Sequence, residues 1–229
     1  MLPPTGRRVT LFAGHYGSGK STAALGYAGL LRERYPDEEI VLADLDIVNP
    51  YFRTSDCAGE LEKLNVGLIV SEYAGTNVDV PAMPGGAYRI TDDRSLRAII
   101  DVGGDDRGAL AMGRYAESLI AEGNYDMLAV INRSRPLTRT PEDTVSVLKE
   151  IEGACGIAFT GIVNCTNFGR DTDVRDIYDS LPYAEEVSRI MGIPVVFTSV
   201  LERLVPELPD GMPVLPVKHI ISHGGISNF

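Results

Sequence analysis

The stretch "GHYGSGKS", residues 14–21, follows a short apolar run, "VTLFA", and leads directly into "TAALGYAGLL". It matches G-x-x-x-x-G-K-[ST], and the spacing has a physical reason. Glycines let successive backbone N–H groups turn inward around an anion, where a Cβ would block the approach. Gly14, Gly17 and Gly19 supply that freedom, and His15, Tyr16 and Ser18 fill the variable places. Lys20 is placed to neutralise the β- and γ-phosphates of a nucleotide, and the Ser21 hydroxyl to ligate Mg²⁺. Thr22 follows in the first turn of a helix whose positive dipole end adds to the site. A chance match is set aside by context: a strand-like run comes before, and after it Ala24, Tyr27, Ala28 and Leu31 fall at i, i+3, i+4, i+7. Lysine is scarce here, four against seventeen arginines, so Lys20 at a chemically demanding place is informative.

Outward from this motif, short apolar runs alternate with amphipathic stretches, the pattern of a parallel sheet with helices on both faces. Seven strands are predicted, over 8–13, 40–43, 66–70, 98–101, 127–131, 158–163 and 195–199. Their Val, Ile and Leu show little alternation, as in strands covered on both sides. Among the helices, Ala109, Met112, Gly113 and Ala116 share one face. "TPEDTVSVLKEIEG" has Thr140 as N-cap, Pro141 at the first helical position and Gly153 as terminator, with Thr144, Val147, Leu148 and Ile151 facing inward. Gly192 ends a further helix and Pro194 leads into the strand after it. Gly26 and Gly29 inside the first helix point to close helix–sheet packing. Residues 71–93, with a short helix, and the proline-rich 204–216 read as long loops over a binding face. The expected fold is α/β: a single-domain, three-layer P-loop NTPase spanning residues 1–229, with a mostly parallel central sheet of about seven strands.

Composition removes several functions. The 229 residues carry a net charge of −11 with no basic stripe, which excludes nonspecific gripping of nucleic acid. The nearest candidate, "NRSRPLTR" with Arg133, Arg135 and Arg139, reads as a solvated loop. No run approaches the roughly 20 apolar residues of a membrane span, and the N-terminal stretch reads as a first strand, not a signal peptide. The tail, with His219 and His223, is neither a basic amphipathic helix nor a metal site. Cys57, Cys155 and Cys165 are odd in number and widely spaced, which reads as idle thiols in a reducing cytoplasm.

Two acidic segments fall where a Mg²⁺-nucleotide needs them. "IVLADLDIVNP" ends a strand with Asp44 and Asp46, two apart and so on one face of an extended chain. "AIIDVGGDDRG" ends another with Asp101, whose carboxylate is placed to hold the Mg²⁺ water shell. Gly103 and Gly104 allow a backbone N–H to approach the γ-phosphate and to move when it leaves. Asp44, Asp105 and Asp106 read equally as site acids or as helix caps. Arg53 and Arg107 lie in the two candidate switch segments.

Together "GHYGSGKS", "DLDIVNPYF" and "DVGGDD" resemble the MinD/ParA/CobQ/CobB nucleotide-binding group of the SIMIBI class of P-loop NTPases. The resemblance covers the first half of the chain well and the later strands loosely. It implies that Asp46 orients the attacking water, and that Asn164 in "GIVNCTN" reads the purine edge; an ordinary turn residue is the other reading of Asn164. It also implies that the proline-rich loop flanks the base. GTP-specific proteins of the wider class use N-K-x-D, whose Asp pairs with guanine. "NRSR" has no acid in its fourth place, which tilts the base towards adenine. The chain departs from the group at His15, where relatives carry a lysine that reaches across a dimer to the partner's nucleotide. A histidine is shorter and largely neutral near pH 7. It packs beside the loop or touches the nucleotide directly, and no ATP-driven sandwich dimer is expected.

The leading expectation is a cytoplasmic, Mg²⁺-dependent ATPase, slow or partner-stimulated, acting as a switch for an unidentified protein partner, with ATP and Mg²⁺ as cofactors and neither nucleic acid nor membrane as partner. The alternative is an ATP-dependent ligase of the dethiobiotin or cobyrinate amide synthetase type acting on a small acid, with residues 72–88 lining its pocket. An iron–sulfur reductase is disfavoured because residues 103–123 contain no cysteine.

Overall fold

The computed structural model describes residues 6–45, 55–70, 88–103 and 106–218. Eight strands are described: β1 (Val9–Ala13), β2 (Ile40–Asp44), β3 (Gly67–Val70), β4 (Arg97–Asp101), β5 (Tyr125–Ile131), β6 (Gly161–Asn164), β7 (Val195–Leu201) and β8 (Val214–Val217). They form one sheet in the order β3-β2-β4-β1-β5-β6-β7-β8, and every pairing among them is parallel. Parallel neighbours need crossovers, and six α-helices stand between the strands: α1 (Lys20–Arg34), α2 (Ser55–Lys63), α3 (Arg89–Asp92), α4 (Asp106–Glu122), α5 (Pro141–Cys155) and α6 (Val174–Met191). The strand after β1 in the chain lies two places away from it in the sheet, with β4 between. β1 and the loop after it therefore sit at the centre of the sheet.

Period-two alternation divides the core. Val9, Leu11 and Ala13 of β1, with Ala98 and Ile100 of β4, pack under Met112, Tyr115 and Leu119 of α4 and Leu148 of α5. Phe12 and Ile99 point the other way, into a cluster with Ala24, Tyr27 and Leu31 of α1 and Leu61 of α2. The result is the expected three layers, a sheet between two helical faces. On the second face Tyr27 meets Phe12 edge-on at 5.5 Å and stacks on Phe197 at 6.3 Å.

Three expectations are corrected. The sheet has eight strands rather than about seven, because the proline-rich stretch is not one loop. A 3₁₀ turn at Glu202–Glu207 is followed by β8, which among the described residues pairs with β7 alone. Pro216 is tolerated there because an edge strand can lose a ladder donor. The helix α5 runs past Gly153 to Cys155 and ends at Gly156, whose φ of 68° is the left-handed conformation a helix stop requires. Of the two helical glycines, Gly26 has the expected cause: a Cβ would stand 2.8 Å from Val217 Cγ1 and 3.2 Å from the Pro216 carbonyl, so β8 approaches α1 there. Gly29 has only Leu64 at 4.0 Å and no such reason. Elsewhere the local signals hold: Thr140 caps α5 by accepting from the Asp143 N–H, and Gly192 ends α6 at φ 70°.

Arg8 is buried at the start of β1, where it forms a two-pronged ion pair with Glu122 at the end of α4. Its remaining donors go to the carbonyls of Ile90, Leu96 and Asp93. This network closes the edge of the sheet opposite the candidate site.

Candidate nucleotide site

The loop between β1 and α1 is held open by backbone constraints. Gly17 and Gly19 take φ of 73° and 102°, values other residues rarely adopt. Gly14 has no room for a side chain, since a Cβ would lie 2.3 Å from the Val130 carbonyl of β5. The Ser18 N–H donates to the His15 carbonyl at 3.1 Å and closes the turn. The Ser18 hydroxyl is buried on the inner side of the loop. Tyr16 is exposed, and His15, half-buried, turns its Nδ1 back to the Tyr16 carbonyl at 2.9 Å.

The start of α1 differs from those of α5 and α6. Helices α5 and α6 begin on side-chain caps, Thr140 and Asp173. Helix α1 begins on Gly19, with no side-chain cap and no acid in its first turn. Its first N–H groups are therefore left to an outside acceptor, and the dipole favours an anion there. Lys20 is almost fully buried and donates from Nζ to the His15 carbonyl at 3.3 Å. An ammonium held that deep with one neutral carbonyl as its hydrogen-bond partner among the described residues suits a site whose other partner is anionic. Thr22, one turn position on, instead helps line a groove with Gly26 and Leu215.

Alternation in β2 and β4 brings the acids to the same place. Asp44 and Asp101 are register partners at the ends of neighbouring strands, both buried and both on the α1 face. The Ser21 hydroxyl donates to Asp101 Oδ2 at 2.5 Å. Side-by-side buried carboxylates repel unless a cation lies nearby. A hydroxyl plus carboxylates, with water and phosphate oxygens completing the shell, is the donor set Mg²⁺ prefers. The cradle, the uncapped helix and these oxygen donors together fit a Mg²⁺-nucleotide.

Gly103, buried, lies two residues beyond the end of β4. Asp46, Arg53, Gly104 and Asp105 lie outside the described residues, as do residues 72–87, His219 and His223. Asp106 and Arg107 open α4, but their side chains are not among those described.

Asn164 ends β6 fully buried. Its Nδ2 donates to Ser180 Oγ at 2.7 Å, and its Oδ1 accepts from the Thr166 N–H at 3.2 Å. Of its two readings, this geometry is that of a turn-forming residue. One feature was not singled out from sequence, and a second was read only as part of a solvated loop. Asn167, three residues on and partly exposed, lies beside the phosphate loop: its Nδ2 would be 4.0 Å from a Cβ on Gly19, and Cys165 Cβ 3.2 Å. Burial pushes the Cys165 thiol up to about 12, so it is a neutral wall of the loop near pH 7. The second feature is Arg135, whose Nε donates to the Gly17 carbonyl at 2.8 Å across 118 residues of chain.

The fold, a parallel sheet with the G-x-x-x-x-G-K-[ST] loop after its central strand, is shared with solved structures. Solved structures with this fold include the cell division protein FtsY of Thermotoga maritima (TM-score 0.60, 19% identity, covering 87% of this chain and 63% of that one). Chloroplast FtsY of Physcomitrella patens is similar (TM-score 0.59, 15% identity, 86% and 60%), as is FlhF complexed with GMPPNP and Mg²⁺ (TM-score 0.50, 13% identity, 86% and 67%). The chain spans less than two thirds of the length of the two FtsY structures, and at these identities the likeness is one of fold. No family model matches the chain, and no curated protein matches it. Among the described residues no helix is long and apolar enough to cross a membrane.

Proposed function

We propose that this chain is a Mg²⁺-dependent ATP-binding protein and ATPase of the MinD/ParA-like group, working in the cytoplasm as a nucleotide switch for a protein partner. The observation that carries the reading is the convergence of Lys20, the uncapped start of α1 and the Ser21–Asp101 contact at the C-terminal edge of the central strands. Ser21 and Asp101 would hold Mg²⁺, with Asp44 beside them; when bound, it supplies charge neutralisation on the phosphate oxygens. Lys20 and the N–H groups of the loop stabilise the charge that develops on phosphoryl transfer. Asp46, two residues beyond Asp44, is assigned the positioning of the attacking water.

The choice of base has a real rival, because FlhF in its solved structure carries a guanine nucleotide analogue. What favours adenine is the chemistry of the two loops. Neither Asn132–Arg135 nor Asn164–Asn167 has a carboxylate in its fourth place to accept from guanine's paired donors. Asn167 itself is engaged in its own turn, its Nδ2 donating to the Cys165 carbonyl at 2.6 Å and its Oδ1 accepting from the Gly169 N–H at 3.1 Å, so adenine is favoured by the missing carboxylate alone.

His15 provides no long cationic arm, and its ring is engaged with its own loop. Two buried triphosphates facing each other would lack compensating charge. The switch is therefore read out through residues 46–53 and 103–107 by a different protein. The Asp46→Ala protein tests this in one experiment. It should bind Mg-ATP as the parent does, hydrolyse it at least about 10-fold more slowly in single turnover, and remain the same size by light scattering with ADP or Mg-ATP. Unimpaired hydrolysis removes the role of Asp46. A clean ATP-dependent doubling of mass contradicts the switch geometry.

A further inference from the structure

We infer that Arg135, from the loop after β5, is a built-in clamp on the terminal phosphate, so that this one chain carries its own second cation for distinguishing nucleoside triphosphate from diphosphate. The inference rests on the proposed nucleotide site and adds to it a residue on a distant loop.

The geometry begins at the phosphate loop. Lys20 Nζ sits at the His15 carbonyl, which marks residues 15–17 as the end of the cradle nearest the β- and γ-phosphates; the α-phosphate end is the start of α1. Arg135 reaches that same end. Its Nε donates to the Gly17 carbonyl at 2.8 Å, and its Cζ stands 3.8 Å from where a Gly17 Cβ would be. Gly17 turns the loop through its positive φ, and the guanidinium lies at van der Waals distance from it.

Pinning the loop uses only Nε. The two terminal nitrogens of Arg135 carry four more N–H donors, and no acceptor for them stands among the described residues. By contrast, Arg133 on the same loop is spent on the Asp179 carbonyl. A planar fork with two free prongs is the group that best matches phosphate oxygens.

The loop is also preorganised. Asn132, fully buried, accepts from the Ser134 N–H through Oδ1 at 3.0 Å, and its carbonyl accepts from the Arg135 N–H at 3.2 Å and from Thr138 Oγ1 at 2.7 Å. The Thr138 carbonyl accepts from the Tyr183 hydroxyl of α6 at 2.9 Å. That hydroxyl also bonds Thr144 of α5 at 2.7 Å. Pro136 fixes the backbone directly after the arginine. The backbone that carries Arg135 is therefore anchored to two helices, and its side chain is pinned through Nε, which reduces the ordering left to be done when a phosphate arrives.

The test compares ADP with the non-hydrolysable triphosphate AMPPNP, both with Mg²⁺, on the parent, Arg135→Ala and Arg135→Lys proteins by calorimetric titration. The parent should prefer AMPPNP. Arg135→Ala should bind ADP within about threefold of the parent while losing at least about 10-fold in AMPPNP affinity, and Arg135→Lys should recover only part of the loss. A purely structural pin on Gly17 would weaken both nucleotides equally, so an unchanged ratio overturns the clamp while leaving the nucleotide site standing. A parent that binds neither nucleotide overturns the site itself.

Discussion

Lys20→Ala is expected to lower the affinity for Mg-ATP by about 100-fold, the order of one lost hydrogen-bonded charge pair. Thermal unfolding should be unchanged or slightly later. In the nucleotide-free protein Lys20 is a buried ammonium whose hydrogen bond is to one carbonyl, at 3.3 Å. Removing such a group relieves a desolvation cost instead of breaking a well-paired contact. In the proposed nucleotide complex the same ammonium would face phosphate, and its loss would fall on binding. The two effects have opposite signs, which separates this substitution from one that damages the fold. Calorimetric titration and a melting curve on the same preparation decide it. A mutant that melts much earlier and binds normally would show Lys20 to be a structural cation.

Glu122→Ala should produce the largest loss of stability, about 3–5 kcal/mol, the usual cost of leaving a buried charge unpaired. The Arg8 guanidinium is buried, and its bonds to backbone carbonyls compensate none of its charge. For a chain of this size the melting temperature should fall by roughly 6–20 °C. The pair also sets an acid limit. Hydrogen bonding to Arg8 holds the Glu122 carboxyl below its ordinary value. Because the folded pKa lies below the unfolded one, the stabilisation is complete above the unfolded value and lost as pH falls through the folded one. Denaturant melts of parent and mutant should therefore converge towards acid. Equal stability near pH 7 would contradict this role for the pair.

The parts of the molecule legible in the sequence are those fixed by neighbouring residues. The phosphate loop is one: Gly14, Gly17, Gly19, Lys20 and Ser21 specify a strand, a turn and a helix start within eight positions. Thr140 and Gly192 are others, since a cap depends on a single turn of helix. What sequence reading missed depends on distant contacts. Residues 204–216 looked like a loop because their prolines are read as breakers, yet β7 gives Val214–Val217 an edge to pair with. Gly153 looked like a terminator, but a helix stops where a residue enters the left-handed region, and that residue is Gly156. Asn164 kept two readings, base contact or turn residue, because nothing local reveals Ser180, sixteen residues on, as the partner of its amide. Arg135 could not be tied to Gly17 from a window of any ordinary length.

The central claim is that the loop from Gly14 to Ser21 is a Mg²⁺-nucleotide site, and titration of the unmodified chain with ATP, with and without Mg²⁺, tests it most directly. The account predicts one equivalent bound, with affinity at least about 10-fold weaker when Mg²⁺ is chelated, and GTP binding more weakly than ATP. No binding of either nucleotide at millimolar concentration, in a preparation that melts cooperatively, would contradict it.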